Sequence, residues 1–215
     1  MPDHASDREK HADLGFERLV FFSDAVFAIA ITLLVLDLKP EFKDGRFDLM
    51  ALLPNLLGFA LSFYVVGRYW LAHHALFLTL KGYDRVLMSV NLLFLASIVF
   101  LPFATSVVTK AKPETGAVAF YTLSVSAVGL LQLLLTLAAR RSPLLHHGET
   151  RGRTASRLVY MAAAPGVFLA ATLIAFVNPT FALYSLVSLA PVSAVLDRVG
   201  PALQARIDGA AAKPV

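Results

Sequence analysis

Residues 18–40 read RLVFFSDAVFAIAITLLVLDLKP, and this stretch decides how the rest of the chain is to be read. From Leu19 to Leu38 it is an apolar run of bilayer-crossing length with one acidic residue, Asp24, two turns inside it and a second, Asp37, at its far end. At 1.5 Å per residue, about 20 such residues cross about 30 Å of hydrocarbon. A carboxylate placed there costs a few kcal/mol, so Asp24 is expected to face protein or water and to have a partner. Arg18 is a poor one. Six residues at about 100° each put it about 240° around the helix from Asp24, on another face.

Five further apolar blocks follow. With the first, they give expected spans at Leu19–Leu38, Leu49–Leu71, Val86–Val108, Gly116–Ala139, Leu158–Val177 and Thr180–Leu196. Asn178-Pro179 is a turn signal that makes the last two a tight helical hairpin. Of the 215 residues, 57% are hydrophobic and only 16% charged, and the mean hydropathy is +0.68. A soluble domain carries about a quarter charged residues. The fold class expected is therefore an all-α integral membrane protein of six transmembrane helices. Residues 1–17 form a polar N-terminal tail, 18–198 the membrane domain and 199–215 a C-terminal tail. The first seventeen residues lack an apolar core and a small-residue cleavage site, so no cleaved signal peptide is expected.

Lys and Arg set the orientation. Thirteen fall on the side of the two tails, the 2–3 loop and the 4–5 loop, against five on the other, with Arg68 inside the second span. Both termini are thereby expected in the cytoplasm. The same loops account for the net charge of +4 without invoking a nucleic acid. There is no cysteine, hence no disulfide and no thiolate chemistry.

By depth, Asp24 lies level with Arg68, Trp70, His73 and His74 at the end of the second span, and with Asn91 near the start of the third. A polar layer tying helices 1, 2 and 3 is expected there. The alternatives are snorkelling of Arg68 to the headgroups and an interfacial loop holding both histidines. Further along helix 1, Ile29, Leu33 and Leu36 recur at steps of four and three and share a face, with Thr32 beside it. Periodicity alone reads that stripe as packing or lipid-facing. Ala25, Ala28 and Ala30 permit close helix approach. Asp37 sits at a helix C-terminus, where the macrodipole disfavours negative charge. At the outer mouth of a pore it would gather cations, although Lys39, Lys43 and Arg46 lie close by.

The motif Arg18-x-x-x-Phe22-Ser23-Asp24 and the flank AVFAIAITLLVLDLKP resemble the transmembrane protein 175 family, the potassium channels of lysosomes with shorter bacterial relatives. The detailed match covers roughly the first third of the chain. The resemblance implies a potassium-selective channel, modestly preferring potassium over sodium. It would be a homotetramer with four copies of helix 1 around a central pore in a bacterial inner membrane. Carried over by spacing from the motif, the pore constrictions are Ile29, Leu33 and Leu36, and Thr32 stands where some members place a hydroxyl layer. Arg18, Phe22, Ser23 and Asp24 would hold helix 1 against its neighbours, with Trp70, His74 and Asn91 as partners. The His73-His74 doublet leaves open which histidine is equivalent. Potassium is the permeant ion, and no cofactor or metal is implied.

Rival readings are a secondary transporter or proton-permeable channel of the same topology, a metal carrier or membrane enzyme, and a scaffold. His146-His147 with Glu149 lies in a polar loop and reads as solvated rather than as a tetrahedral zinc site. No HExxH, no TVGYG filter and no Arg-every-third-residue helix within an apolar span occurs.

Overall fold

The computed structural model describes residues 4–110, 114–140 and 165–187. Helix α1 runs His4–Val35. A short hairpin, β1 (Phe42–Lys43) and β2 (Arg46–Phe47), follows it. Then come α2 (Leu49–Phe77), α3 (Arg85–Lys110), α4 (Thr115–Ala139), α5 (Pro165–Ala175) and α6 (Pro179–Val187). Four of these contain segments long and apolar enough to cross a membrane: Leu14–Val35 within α1, and α2, α3 and α4 throughout. This is a multi-pass helical membrane protein. The expected fifth and sixth spans lie partly outside the described residues.

Helix ends follow local chemistry. α1 tightens at its close through bonds from Leu36 N to Leu33 O and from Leu38 N to Val35 O, both 3.1 Å, before Pro40 prevents continuation. Asp48 caps α2, its Oδ1 accepting from Met50 N and Ala51 N at 3.0 Å. Asp84 caps α3 through Leu87 N at 2.7 Å, Glu114 caps α4 through Gly116 N, and Asn178 caps α6 through Phe181 N at 2.9 Å. Asn178-Pro179 does turn the chain between α5 and α6.

Two differences from the sequence reading matter for function. α1 starts well before Arg18, because no proline intervenes and Phe16 packs on α2 and the loop after it, 6.0 Å from Phe77 and 6.5 Å from Tyr83. α2 continues six residues past Leu71, so His73 and His74 are on a helix and not in a loop.

α3 and α4 form the most extensive helix pair, and α1 lies against α3 and α2. The core is apolar, with Phe27, Val66, Leu87, Phe94, Ile98, Leu101, Val125 and Leu135 almost fully enclosed. Hydroxyls stitch the helices at mid-depth. Ser62 Oγ lies 3.1 Å from Tyr121 Oη and 2.8 Å from Thr105 Oγ1, Tyr69 Oη donates to Val125 O at 3.2 Å, and Thr122 meets Thr172 at 2.7 Å. Lipid tails compete poorly for such groups, so interhelical hydrogen bonds help to specify the packing.

Candidate functional site: the clamped and uncovered faces of helix 1

α1 has two unlike faces. Leu19, Ser23, Phe27, Ala30 and Leu34 recur at three- and four-residue steps and are buried against α2 and α3. Roughly opposite, Phe22, Ala25, Ile29, Thr32, Leu33 and Leu36 are uncovered.

The buried face is fixed by a polar clamp with two limbs. In the first, Trp70 Nε1 of α2 donates to Asp24 Oδ1 at 2.9 Å, and His74 stacks on the Trp70 ring at 5.4 Å between centroids. In the second, Ser23 Oγ donates to Leu19 O at 2.9 Å and accepts from Asn91 Nδ2 of α3 at 3.0 Å. Asn91 Oδ1 meets His73 Nε2 of α2 at 2.9 Å. Since the Asn91 amide nitrogen donates to Ser23, its oxygen must accept, so His73 Nε2 carries the hydrogen. The chain of donation runs from His73 through Asn91 and Ser23 to the α1 backbone. Ser23, His73 and Asn91 are all at most 1% exposed. The His73 ring is held by Phe77, stacked at 4.2 Å, by Phe94 at 5.7 Å and by Phe27 at 5.6 Å.

Of the residues singled out in the sequence, Ser23, Asp24, Trp70, His73 and Asn91 are therefore brought together. His74 touches the clamp only by stacking on Trp70. Arg68 is half-buried on α2, and Arg18 and Phe22 are exposed on α1. The doublet is resolved: His73 joins the Ser23–Asn91 chain. Chemically the clamp is a positioning device. The Ser23 hydroxyl hydrogen is committed to a backbone carbonyl, and among the described residues no group of three or more metal-ligating side chains occurs. His146, His147 and Glu149 lie outside those residues.

On the opposite face Ile29 is 57%, Leu33 36% and Leu36 69% exposed. Thr32 Oγ1 donates to Ile29 O at 2.8 Å, so its hydrogen is spent inside the helix and its oxygen faces outward as an acceptor. Asp37 is held on α3, accepting from Lys110 Nζ at 2.7 Å and from Ser106 Oγ at 3.2 Å. Its charge is thus matched within the chain. Lys110 and Ser106 were not foreseen as partners; the signal available was only an unmatched acid and an unmatched base at the same end of neighbouring spans.

A helix locked by polar contacts along one side and left bare and apolar along the other defines a membrane protein built around the placement of its first helix. Residues 18–102 match the family described as endosomal/lysosomal potassium channel TMEM175. A potassium channel of Streptomyces collinus is 38% identical over 121 residues, covering 53% of this chain and 59% of that protein. The endosomal/lysosomal proton channel TMEM175 of Homo sapiens is 34% identical over 156 residues, 65% of this chain and 30% of that protein. The crystal structure of a lysosomal potassium-selective channel TMEM175 homolog from Chamaesiphon minutus superposes with a TM-score of 0.71 at 27% identity, covering 84% of this chain and 97% of that one. The chain spans about half the length of the bacterial relatives it matches, 59% for the Streptomyces collinus channel and 54% and 49% for potassium channels of a Chryseobacterium species and of Chamaesiphon minutus. The similarity to the TMEM175 family is carried by residues 18–102.

Proposed function

We propose that this protein is a cation channel, preferring potassium over sodium, whose path is enclosed by α1 from four copies of the chain. The observation that carries the reading is the two-faced α1. Its polar side is clamped to its own subunit, while Ile29, Thr32, Leu33 and Leu36 are left exposed by the described residues. One copy cannot enclose a path with a single helix, so the stripe is assigned to a central axis shared by copies. The potassium-channel relatives and the Chamaesiphon minutus channel support the ion.

In this reading the chain has six spans with both termini in the cytoplasm, in a bacterial inner membrane. Ile29 is the tightest ring and the gate, with Leu33 and Leu36 beyond it. An apolar ring supplies no oxygen to replace lost water, so an ion passes at a dehydration cost. Potassium, the larger ion, gives up water more readily than sodium, which yields a modest preference. The outward-facing Thr32 oxygen is a lone-pair acceptor suited to a partly stripped cation. Asp37, paired with Lys110, contributes little to gathering ions at the mouth in the described conformation.

Purified protein in liposomes under a potassium gradient is expected to pass current that follows the potassium equilibrium potential more closely than that of sodium. Ile29→Asn is expected to raise conductance and blunt the preference. Unchanged currents in Ile29→Asn would remove Ile29 from the constriction, and absence of any flux would point to a scaffold. A second reading, a proton-permeable channel, is favoured by the name of the human relative. A reversal potential that follows the pH gradient at constant potassium would select it.

A further inference from the structure

The hairpin between α1 and α2 is a two-sided element. Asp44 and Gly45 adopt φ of 51° and 75°, the left-handed pair that closes a tight two-residue turn. The register pairs Phe42 with Phe47 and Lys43 with Arg46. Neighbouring residues of a strand point to opposite faces, so one face of the hairpin carries both phenylalanines and the other both cations. The two rings meet edge-on, 6.2 Å between centroids, yet they are 65% and 54% exposed and no other part of the described chain covers them. Asp48 N bonds Glu41 O at 2.8 Å, extending the ladder, and the Asp48 carboxylate is spent on the α2 cap.

Location restricts what can cover the rings. Phe47 lies two residues before Leu49, the first residue of α2, so it stays within about 7 Å of the helix start along the chain. Leu49 and Met50 are themselves exposed and apolar, so the hydrocarbon boundary runs there. An aromatic pair at that level, backed at the height of the phosphates by two cations, matches the layering of a phospholipid headgroup region: ester and acyl boundary below, phosphate above.

We propose that this hairpin is an interfacial anchor. It lies flat on the membrane, with Phe42 and Phe47 seated at the acyl boundary and Lys43 and Arg46 among lipid phosphates. Glu41 alternates onto the face of Lys43 and Asp44 closes the turn, so the charge there is mixed. What favours lipid over a second copy of the chain is the place of the rings beside exposed, apolar Leu49 and Met50 at the start of a helix long enough to cross a membrane. The anchor holds the far end of α1 at a set depth, opposite the end held by the Ser23–Asn91–His73 clamp.

The cysteine-free sequence makes the test direct. Single substitutions Phe42→Cys, Lys43→Cys, Arg46→Cys and Phe47→Cys are spin-labelled in otherwise intact protein, in vesicles of phosphatidylethanolamine and phosphatidylglycerol. Collision with oxygen, which concentrates in the acyl region, is compared with collision with a water-soluble nickel chelate. Labels at 42 and 47 are expected to favour oxygen and those at 43 and 46 nickel, so that the depth parameter changes sign between adjacent residues. Nickel dominance at all four positions overturns the anchor by placing the hairpin in water. Exclusion of both reagents at 42 and 47 overturns it by placing the rings in a protein contact, and oxygen dominance at all four overturns the two-sided arrangement. None of these readouts depends on ion flux, so the test stands apart from the channel reading.

Discussion

Asn91 spends both ends of its amide inside the membrane domain, donating to Ser23 and accepting from His73, and each bond joins it to a different helix. Asn91→Leu keeps the approximate volume but leaves the His73 N–H without its acceptor at a site 1% exposed. An orphaned buried group costs about 1–3 kcal/mol. The expected outcome is a lower thermal midpoint of the purified protein in detergent. Trp70→Phe preserves a ring beside His74 and removes only the donor to Asp24. A bond to a charged group contributes about 1.5–3 kcal/mol, and the half-buried Asp24 puts this one at the lower end. The Asn91 variant is therefore expected to melt at or below the Trp70 variant, and a Trp70 variant that melts first would reverse that ranking. The choice between the adjacent histidines was open to the sequence in one respect. Ser62, Val65, Val66, Tyr69, His73, Leu76 and Phe77 are the buried positions of α2, and the helical period runs through His73 and misses His74. What hid it was treating the doublet as the end of the helix.

At the scale of the elements, apolar length located α2, α3 and α4 to within a few residues at most ends, because bilayer thickness is a hard constraint. The ends that moved were those set by packing. α1 continues back through Phe16, whose contact with Phe77 joins distant parts of the chain and leaves no periodic trace, and α2 continues through Phe77, which stacks on His73 one turn earlier. The hairpin did carry a signal, Asp44-Gly45 between two short alternating runs, which the polar look of the loop concealed. Glycines test the packing. A Cβ on Gly129 would come within 2.8 Å of Pro165 Cβ and of Tyr69 Oη, and the proline ring cannot swing aside. Gly129→Ala should push α5 from α4 at a cost of about 1–3 kcal/mol. Gly67, in the interior of α2, meets nothing within 4 Å. Gly67→Ala should therefore stabilise by about 0.5–1 kcal/mol through reduced chain entropy. Opposite shifts in midpoint for the two variants would bear out the α4–α5 contact, and a fall in both would show that Gly67 meets something outside the described chain.

For the whole molecule, the open question is what covers the bare side of α1. Exposure alone does not decide it, since lipid tails cover Ile29, Leu33 and Leu36 as readily as other protein does. Thr32 imposes no penalty in lipid either, its hydrogen being satisfied within the helix. The argument for an axis rests on the clamp. Two hydrogen-bonded limbs on one side of a helix fix its rotation, and fixing rotation is of little use to a helix whose other side meets only fluid lipid. Around a shared axis the same fixation sets which side chains converge. Chemical proximity can therefore decide what exposure cannot. Leu36→Cys in the cysteine-free chain is expected to give disulfide-linked dimers under mild oxidation in native membranes, since a bridge needs Cβ atoms about 3.5–4.5 Å apart. Leu123→Cys, 49% exposed on α4, serves as a lipid-facing control and should remain monomeric on a non-reducing gel. Asp24→Ala, which removes one limb, should lower the dimer yield of Leu36→Cys before it alters ion preference, because the stripe would no longer be held toward the axis. Equal yields at 36 and 123, or yields at 36 untouched by loss of Asp24, would leave the stripe facing lipid and the pore elsewhere.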